Sequence, residues 1–291
     1  MKKSSIVCAL ALLALPTFVA CSQKKGGMSA IEQPQTAEVA PMPEVQPSEN
    51  EEVGILPPVA EEPEEGVPPL TEEVETVLPK APVSAQYLKI KTGDLNVRAG
   101  AGTAYASLGK VEKNILMAYR GKVGSWYQTY YMGKAAFVHA DYAEVVSLEK
   151  TDDAIEEVIE EGLKYLGTPY VYGATRFHDG KGNLLKGFSS KQFDCSSLMQ
   201  YIFYQGAGVL LNVTTRTQVS QGRAVTDELK RGDLMFFTNA SRKNNTGLER
   251  VGHVALYLGD NYILHTASDY AKIEQISQTR WGYFLSARRM L

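Results

Sequence analysis

Gly252-His253-Val254-Ala255-Leu256-Tyr257 and Tyr262-Ile263-Leu264-His265-Thr266 are two apolar runs separated by the turn residues Gly259 and Asp260. Apolar strand-like sequence on both sides of a short polar turn predicts a β-hairpin, and each arm carries a histidine. Residues directly opposed in an antiparallel pair share a face of the sheet, with Cα atoms about 4.5 to 5.5 Å apart. Positions 253 and 265 mirror each other about Gly259. A two-residue turn would therefore put the two imidazoles on opposite faces, and a shared face requires an odd-numbered loop or a bulge. Either histidine alone reads as a packed or surface residue of an apolar strand. Together they are near cross-strand neighbours.

Working outward from the hairpin, Phe193-Asp194-Cys195-Ser196-Ser197 precedes Leu198, Met199, Tyr201, Ile202 and Phe203, an apolar helical pattern ending at Gly206. Asp194 is placed to start the helix, which puts Cys195 in its first turn. Free backbone N–H groups and the helix dipole there favour a thiolate and can hold a developing oxyanion. A thiolate peptidase also needs an imidazole that can take and return a proton near neutrality. Of the four histidines, His139 falls in a barrel-like segment and His178 in a Gly/Asp/Lys-rich loop. His253 and His265 are left to serve Cys195.

The segments Gly167-Thr168-Pro169-Tyr170-Val171-Tyr172-Gly173, Phe193-Asp194-Cys195-Ser196-Ser197, Arg231-Gly232-Asp233-Leu234-Met235-Phe236-Phe237, Gly252-His253-Val254-Ala255 and Ile263-Leu264-His265 resemble the NlpC-type cell-wall peptidases. That resemblance implies a papain-like α+β domain that cleaves stem peptides, typically between γ-D-glutamate and the following diamino acid. It implies Cys195 as nucleophile, His253 as base and His265 as the group that orients the base. It further implies that Tyr170 hydrogen-bonds near the nucleophile. Asp194 and Ser196 match residues that help hold the substrate's free amine in relatives with an attached SH3-like domain, so a free N-terminal L-Ala is an expected requirement. Two departures stand out: Gly173-Ala174 replaces Gly-Gly, and about a dozen extra residues, rich in Gly and Lys, separate Tyr170 from Cys195. The extra residues either rim the cleft or form an inert loop. Arg231-Gly232-Asp233 is expected to make a structural turn before a buried strand.

Upstream, Thr151 to Leu166 has helical spacing, with Ile155, Val158, Ile159, Leu163 and Leu166 on one face and Asp153 with Glu156 as a capping-box-like start. Tyr87 to Val146 alternates short apolar runs with Gly-rich turns, the pattern of a small all-β barrel. Leu95-Asn96-Val97-Arg98-Ala99-Gly100, Ser125-Trp126-Tyr127 and Phe137-Val138-His139 resemble the bacterial SH3-like domain, with Trp126 and Phe137 expected in its core. The resemblance implies wall binding or shaping of the active site.

Residues 26 to 79 contain thirteen Glu, ten of the chain's thirteen prolines, and no Lys, Arg, Asp or aromatic residue. Such a stretch cannot bury a core and is expected to be an extended tether. Before it, Lys2 and Lys3, the apolar run Ile6 to Ala14 and Phe18-Val19-Ala20-Cys21 read as an export signal, and the last four residues resemble a lipobox with Cys21 acylated. The expected organisation is a signal over 1–20, an anchored linker over 21–84, the barrel over 85–148 and the peptidase over 150–291. Cys8 leaves with the signal and Cys21 bears lipid, so Cys195 alone remains as a free thiol and no intrachain disulfide forms.

Residues 1–79 carry a net charge of −9 and residues 80–291 a net charge of +6. A mildly basic folded part suits an anionic wall polymer. There is no basic stripe interleaved with aromatics, no phosphate-cradling glycine loop and no Cys/His metal spacing, which argues against nucleic-acid, nucleotide and metal chemistry. The expectation is a monomer without cofactor, held extracytoplasmically by its lipid, most simply at the outer membrane, acting on peptidoglycan stem peptides or muropeptides. Two rivals share these residues: a non-catalytic peptidoglycan-binding lipoprotein, and an acyl transferase acting on lipids.

Overall fold

The computed structural model describes residues 84–291; the leader, Cys21 and the acidic stretch lie outside them. The alternating runs after residue 84 form β1 (Ser84–Ile90), β2 (Leu95–Arg98), β3 (Ser107–Val111), β4 (Leu116–Ala118), β5 (Lys122–Val123), β6 (Trp126–Tyr131), β7 (Lys134–His139) and β8 (Ala143–Glu149). Strands β3-β2-β7-β6-β5 make one sheet, while β8, β1 and β4 belong to another. Between them lies a core of Leu88, Ile90, Val97, Ile115, Met117 and Val138 with their neighbours.

Period-two alternation decides what enters that core. On β7 the inward phase belongs to Ala136 and Val138, both fully buried. Phe137 therefore points outward, as does Trp126, which opposes His139 in the ladder and meets its ring edge-on at 5.0 Å. The expectation that Trp126 and Phe137 fill the core is wrong: both are half-buried on the outer face.

Beyond the barrel come α1 (Asp153–Lys164), α2 (Cys195–Ala207), α3 (Thr215–Gln218), β9 (Arg223–Ala224), β10 (Leu234–Phe237), β11 (His253–Gly259), β12 (Tyr262–Ala267), β13 (Tyr270–Gln275), α4 (Gln278–Trp281) and β14 (Phe284–Arg289). Helix α1 is capped by Asp152, whose side chain accepts from Ile155 N at 3.0 Å, one residue before the expected Asp153. Glu156 accepts from Thr151 N and from Arg231. Helix α2 runs past Gly206 and stops at Gly208, which takes the left-handed conformation at φ 66°. Gly206 has a different use: a Cβ there would lie 2.5 Å from the Val158 backbone, so its absence sets how closely α1 and α2 pack.

The larger sheet has the order β8-β1-β4-β13-β12-β11-β10-β14-β9. Barrel strands and strands that follow α1 thus share one sheet, joined where Leu116 pairs with Ile273. One continuous core follows, in which Tyr87, Leu116 and Leu148 pack with α1, α2 and the inner residues Val254, Leu256 and Leu264. Arg231 reinforces the joint. Its guanidinium reaches both oxygens of Glu156 at 2.7 and 2.9 Å, Leu258 O at 2.7 Å and Tyr87 OH at 2.7 Å. The expected structural role of Arg231 is therefore a tie between barrel, helix and hairpin. The architecture is α+β, and among the described residues no helix is long and apolar enough to cross a membrane.

Candidate active site

Asp194 is the N-cap of α2: its Oδ1 accepts from Ser197 N at 2.8 Å, while Ser197 Oγ accepts from Asp194 N at 2.8 Å. This capping box fixes Cys195 as the first residue of the helix, as the sequence predicts. The thiol is buried, at 8% exposure, and lies 3.5 Å from Thr215 Oγ1 at the start of α3. The N–H groups of Val254 and Ser196 also point at the sulfur.

The hairpin turn is Asp260-Asn261, both with positive φ, preceded by Gly259 at φ 89°. Gly259 pairs with Tyr262, whereas Tyr257 pairs with Ile263, so Leu258 is the extra residue of a bulge. The bulge restores the parity that a two-residue turn would break. It does so with an offset: continuing the Leu256↔Leu264 register sets His265 across from Ala255 and His253 two positions further along. The two imidazoles share a face as diagonal neighbours, not as the directly opposed pair the symmetry about Gly259 suggests. Their Nε2 (His253) and Nδ1 (His265) atoms are 3.0 Å apart, with ring planes at 80°.

The hydrogen-bond chain continues where sequence reading stopped. His265 Nε2 is 3.0 Å from Glu274 Oε1 on β13, and that same oxygen accepts from Arg280 Nη2 at 3.0 Å. Because a carboxylate only accepts, His265 carries its proton on Nε2 and presents a lone pair at Nδ1. His253 must then donate from Nε2, which leaves the lone pair of its Nδ1 as the basic site. Glu274 thus dictates both tautomers. Its position was readable in principle: His265 opposes Lys272, and Glu274 stands two residues further on the same face. Seeing it required extending the hairpin to a third strand.

Burial pushes the Cys195 thiol above its ordinary 9.0; Thr215 and the nearby N–H groups oppose that shift and the Asp194 charge adds to it. Burial holds His253 well below 6.5, helped by His265 and the Arg280 charge. His265 is also lowered by burial, against the pull of Glu274. For Glu274, burial acts upward, but the His265 hydrogen bond and the His265, Arg280 and Lys272 charges bring it to about 2. At neutral pH the site therefore rests as thiol and neutral imidazoles over an ionised Glu274. Desolvation of the thiol works against the thiolate that the helix start favours, while Thr215 and the nearby N–H groups work for it.

Two cavities, of about 510 and 470 Å³, meet at Tyr170, Cys195, Asn239 and Gly252. A larger one of about 580 Å³ between β1 and α1 contains no Cys or His and has no part in this chemistry. The first cleft arm is lined by His253, Phe237, Thr279, Arg280 and Tyr283, among others. The second holds Asp194, Ser196, Arg176, Arg216 and Arg242. Tyr170 is drawn beside Cys195 by a parallel bridge to Phe193 and a hydrogen bond from its N to Asp269 O. Its hydroxyl is raised by burial and by Cys195 and Asp194, so it is a proton donor at neutral pH.

Asp194 and Ser196 both line the cleft, and their side chains are hydrogen-bonded to neighbours there. Ser196 Oγ donates to Asp194 Oδ1 at 3.1 Å, and Arg176 Nη1 reaches Oδ2 at 2.8 Å. Arg176 comes from the extra residues before Phe193, whose Phe177 and Phe188 rings pack on Tyr201 at 5.2 and 5.1 Å. The insertion rims the cleft and is anchored by those aromatics. Nothing in its irregular sequence marks Arg176 in advance. Among the described residues no cluster of three or more His, Cys, Asp or Glu side chains is placed to hold a metal ion.

A helix-start cysteine and a hairpin imidazole that line one cleft define an α+β domain of the cysteine–histidine type. Residues 167–290 match the NlpC/P60 family and residues 93–144 the bacterial SH3 domain, so the chain carries an NlpC/P60 domain behind a bacterial SH3 domain. It is 31% identical over 126 residues to the gamma-DL-glutamyl hydrolase of Bacillus subtilis, covering 43% of this chain and 26% of that protein. It is 34% identical over 146 residues to the peptidoglycan DL-endopeptidase CwlO of Bacillus licheniformis, covering 48% of this chain and 29% of that one. With the gamma-D-glutamyl-L-lysine dipeptidyl-peptidase of Bacillus cereus it shares 32% identity over 142 residues, 47% of this chain and 37% of the relative. The chain thus spans well under two thirds of the length of these relatives.

Proposed function

We propose that this protein is a cysteine peptidase of cell-wall stem peptides that cleaves between γ-D-glutamate and the following diamino acid. The observation that carries the reading is the hydrogen-bonded series His253–His265–Glu274 beside the Cys195 thiol, which orients a neutral base toward the cleft. The names of the relatives, a peptidoglycan endopeptidase and γ-glutamyl peptidases among them, supply the substrate class.

In the proposed mechanism His253 Nδ1 removes the thiol proton as Cys195 Sγ attacks the amide carbonyl. The oxyanion is met by the Cys195 N–H group at the start of α2, since Ser197 N is already held by Asp194 and Ser196 N points at the sulfur. Tyr170 OH stands at the same junction as a further donor. Protonated His253, stabilised through His265 by the Glu274 charge, returns the proton to the leaving amine and the C–N bond breaks. Water then gives a proton to His253 and its hydroxide to the acyl carbon, releasing the acid and regenerating the thiol. The carboxylate role common in such triads is here played at one remove, through a second imidazole.

The test is mass spectrometry of defined stem peptides incubated with the protein and with Cys195→Ala. The first should yield the two fragments and the second none; hydrolysis retained in Cys195→Ala sinks the assignment. Tight binding without turnover by the unmodified protein identifies a wall-binding lipoprotein instead. Export and lipid attachment at Cys21 are part of the same proposal, supported by Lys2, Lys3, the apolar run and Phe18-Val19-Ala20-Cys21. Metabolic labelling with a radioactive fatty acid should mark the protein and fail to mark Cys21→Ala.

A further inference from the structure

The hairpin of β6 and β7 turns at Met132-Gly133, both with positive φ, 54° and 75°. The N–H groups of this turn donate to Leu166 O and Lys164 O at 2.8 Å each. They satisfy carbonyls left free at the C-terminal end of α1. Tyr131 and Lys134, opposed across the turn, are thereby fixed beside the segment that leads on to Tyr170. A cavity of about 350 Å³ opens there, lined by Leu108, Tyr131, Met132, Lys134, Thr168 and Lys191. Four of these belong to the SH3 domain and two to the NlpC/P60 domain. None of them lines either arm of the Cys195 cleft.

Two hydroxyls belong to this wall. Thr168 is 1% exposed, and its buried Oγ1 has no hydrogen-bond partner among the described residues. Tyr131 is 4% exposed, and burial pushes its hydroxyl above the usual 10.0, so at neutral pH it keeps its proton to donate. Its ring fits because glycines flank it: a Cβ at Gly109 would lie 2.5 Å from the Tyr131 oxygen, and one at Gly167 would collide with the ring. Leaving a buried hydroxyl without a partner is costly. The charge of the wall has one sign. Lys134 and Lys191 are exposed, neither is ion-paired among the described residues, and no Asp or Glu lines the cavity. Two ammoniums, two hydroxyls and the apolar Leu108 and Met132 together suit a carboxylate on a small apolar body. Its oxygens would accept from the hydroxyls, its charge would face the lysines and its alkyl part would lie on Leu108 and Met132.

We infer that the cavity at the Met132-Gly133 turn is a second ligand site, which takes a carboxylate carried on a small apolar body and bridges the SH3 and NlpC/P60 domains through it. A short-chain carboxylic acid and the C-terminus of a peptide ending in small apolar residues share that chemistry. The inference goes beyond the reaction proposed at Cys195 and does not depend on it, since no group of that reaction lines the cavity.

The probes are N-acetylalanylalanine, its C-terminal amide, butyrate and inorganic phosphate, each titrated calorimetrically into the full chain. At least one of the two carboxylates should bind, and the amide should bind about tenfold or more weakly than the peptide acid if the ligand is a peptide end. Butyrate binding as tightly as the peptide acid identifies a free acid instead; either result supports the site. Thr168→Val and Tyr131→Phe decide whether this cavity is the one filled. Removing hydroxyls that lack partners in the empty protein should leave its melting temperature no lower, yet weaken carboxylate binding about three- to tenfold in each variant. Lys134→Gln combined with Lys191→Gln should abolish binding. No binding of either carboxylate at roughly 10 mM, equal binding of peptide acid and amide, or tighter binding of phosphate overturns the inference. So does an affinity unchanged in these variants, the result if the acid lodges among the arginines of the Cys195 cleft.

Discussion

The two arms of the Cys195 cleft are built on opposite principles. On the hairpin side, ionisable groups are buried in series, each fixed by the next, from His253 through His265 and Glu274 to Arg280. On the insertion side, guanidiniums stand at the rim, and only the Arg176–Asp194 pair is well buried. A buried series sets proton positions, and its members act as a unit. A rim of half-exposed charges sets which ligand is admitted and is screened by salt. The two arms thus hold their charges differently, and variants on each side should fail in different ways.

The largest effect is expected at the base: His253→Ala should lower kcat/KM by about a thousandfold or more while thermal unfolding shows a folded protein. Next is Glu274→Gln, which removes the charge that dictates both tautomers; a fall in kcat of about a hundredfold with KM little changed is expected. An equal loss appearing in KM would move Glu274 to the selection side. Thr215→Val should cost about three- to tenfold and shift thiol alkylation by iodoacetamide to higher pH, since the Thr215 hydroxyl lowers the thiol. The smallest effect is at the rim: Arg242→Ala should change stability by less than about 1 kcal/mol in thermal or denaturant melts.

The pH profile sharpens the same contrast. His253 must be neutral to act as base, so activity is lost as pH falls through its folded value, which lies below 6.5. The thiol must hold its proton for His253 to carry to the leaving amine, and burial keeps it above 9.0. A plateau in kcat/KM between those values is the expected result, with alkylation slow at pH 7 and accelerating above 9. An alkylation limb near pH 6 would show a preformed thiolate and break the account of the resting state.

Much of the hairpin side was legible in the sequence because it is periodic. Alternation placed His253 and His265 on strands, the Asp194 cap placed Cys195 in a first turn, and parity demanded the bulge that Leu258 supplies. The diagonal offset was not legible, since where a bulge falls depends on local φ angles and not on symmetry about a glycine. Glu274 and Thr215 were missed because each belongs to an element not connected to the motif that carries the chemistry. Arg176 was beyond reach, lying in an irregular loop whose path is set by Phe177 and Phe188 docking on Tyr201. In the barrel, aromatic bulk is a poorer guide than strand alternation: Ala136 and Val138 claim the inner phase of β7, and Phe137 is left outside.

The pairing of Leu116 with Ile273 bears on how the molecule comes apart. Strand β13, which carries Glu274, has β4 as its outer neighbour, and Lys272 on that strand is held by Glu112 from the barrel at 3.0 Å. Tyr87 and Leu148 lie in the same core as α1, and Arg231 binds across the joint. The SH3 and NlpC/P60 domains should therefore melt in a single cooperative transition. A fragment starting at residue 150 would expose a bare sheet edge beside the strand that sets the histidine tautomers, so the SH3 domain is a structural part of the unit that holds the Cys195 cleft as well as its neighbour along the chain.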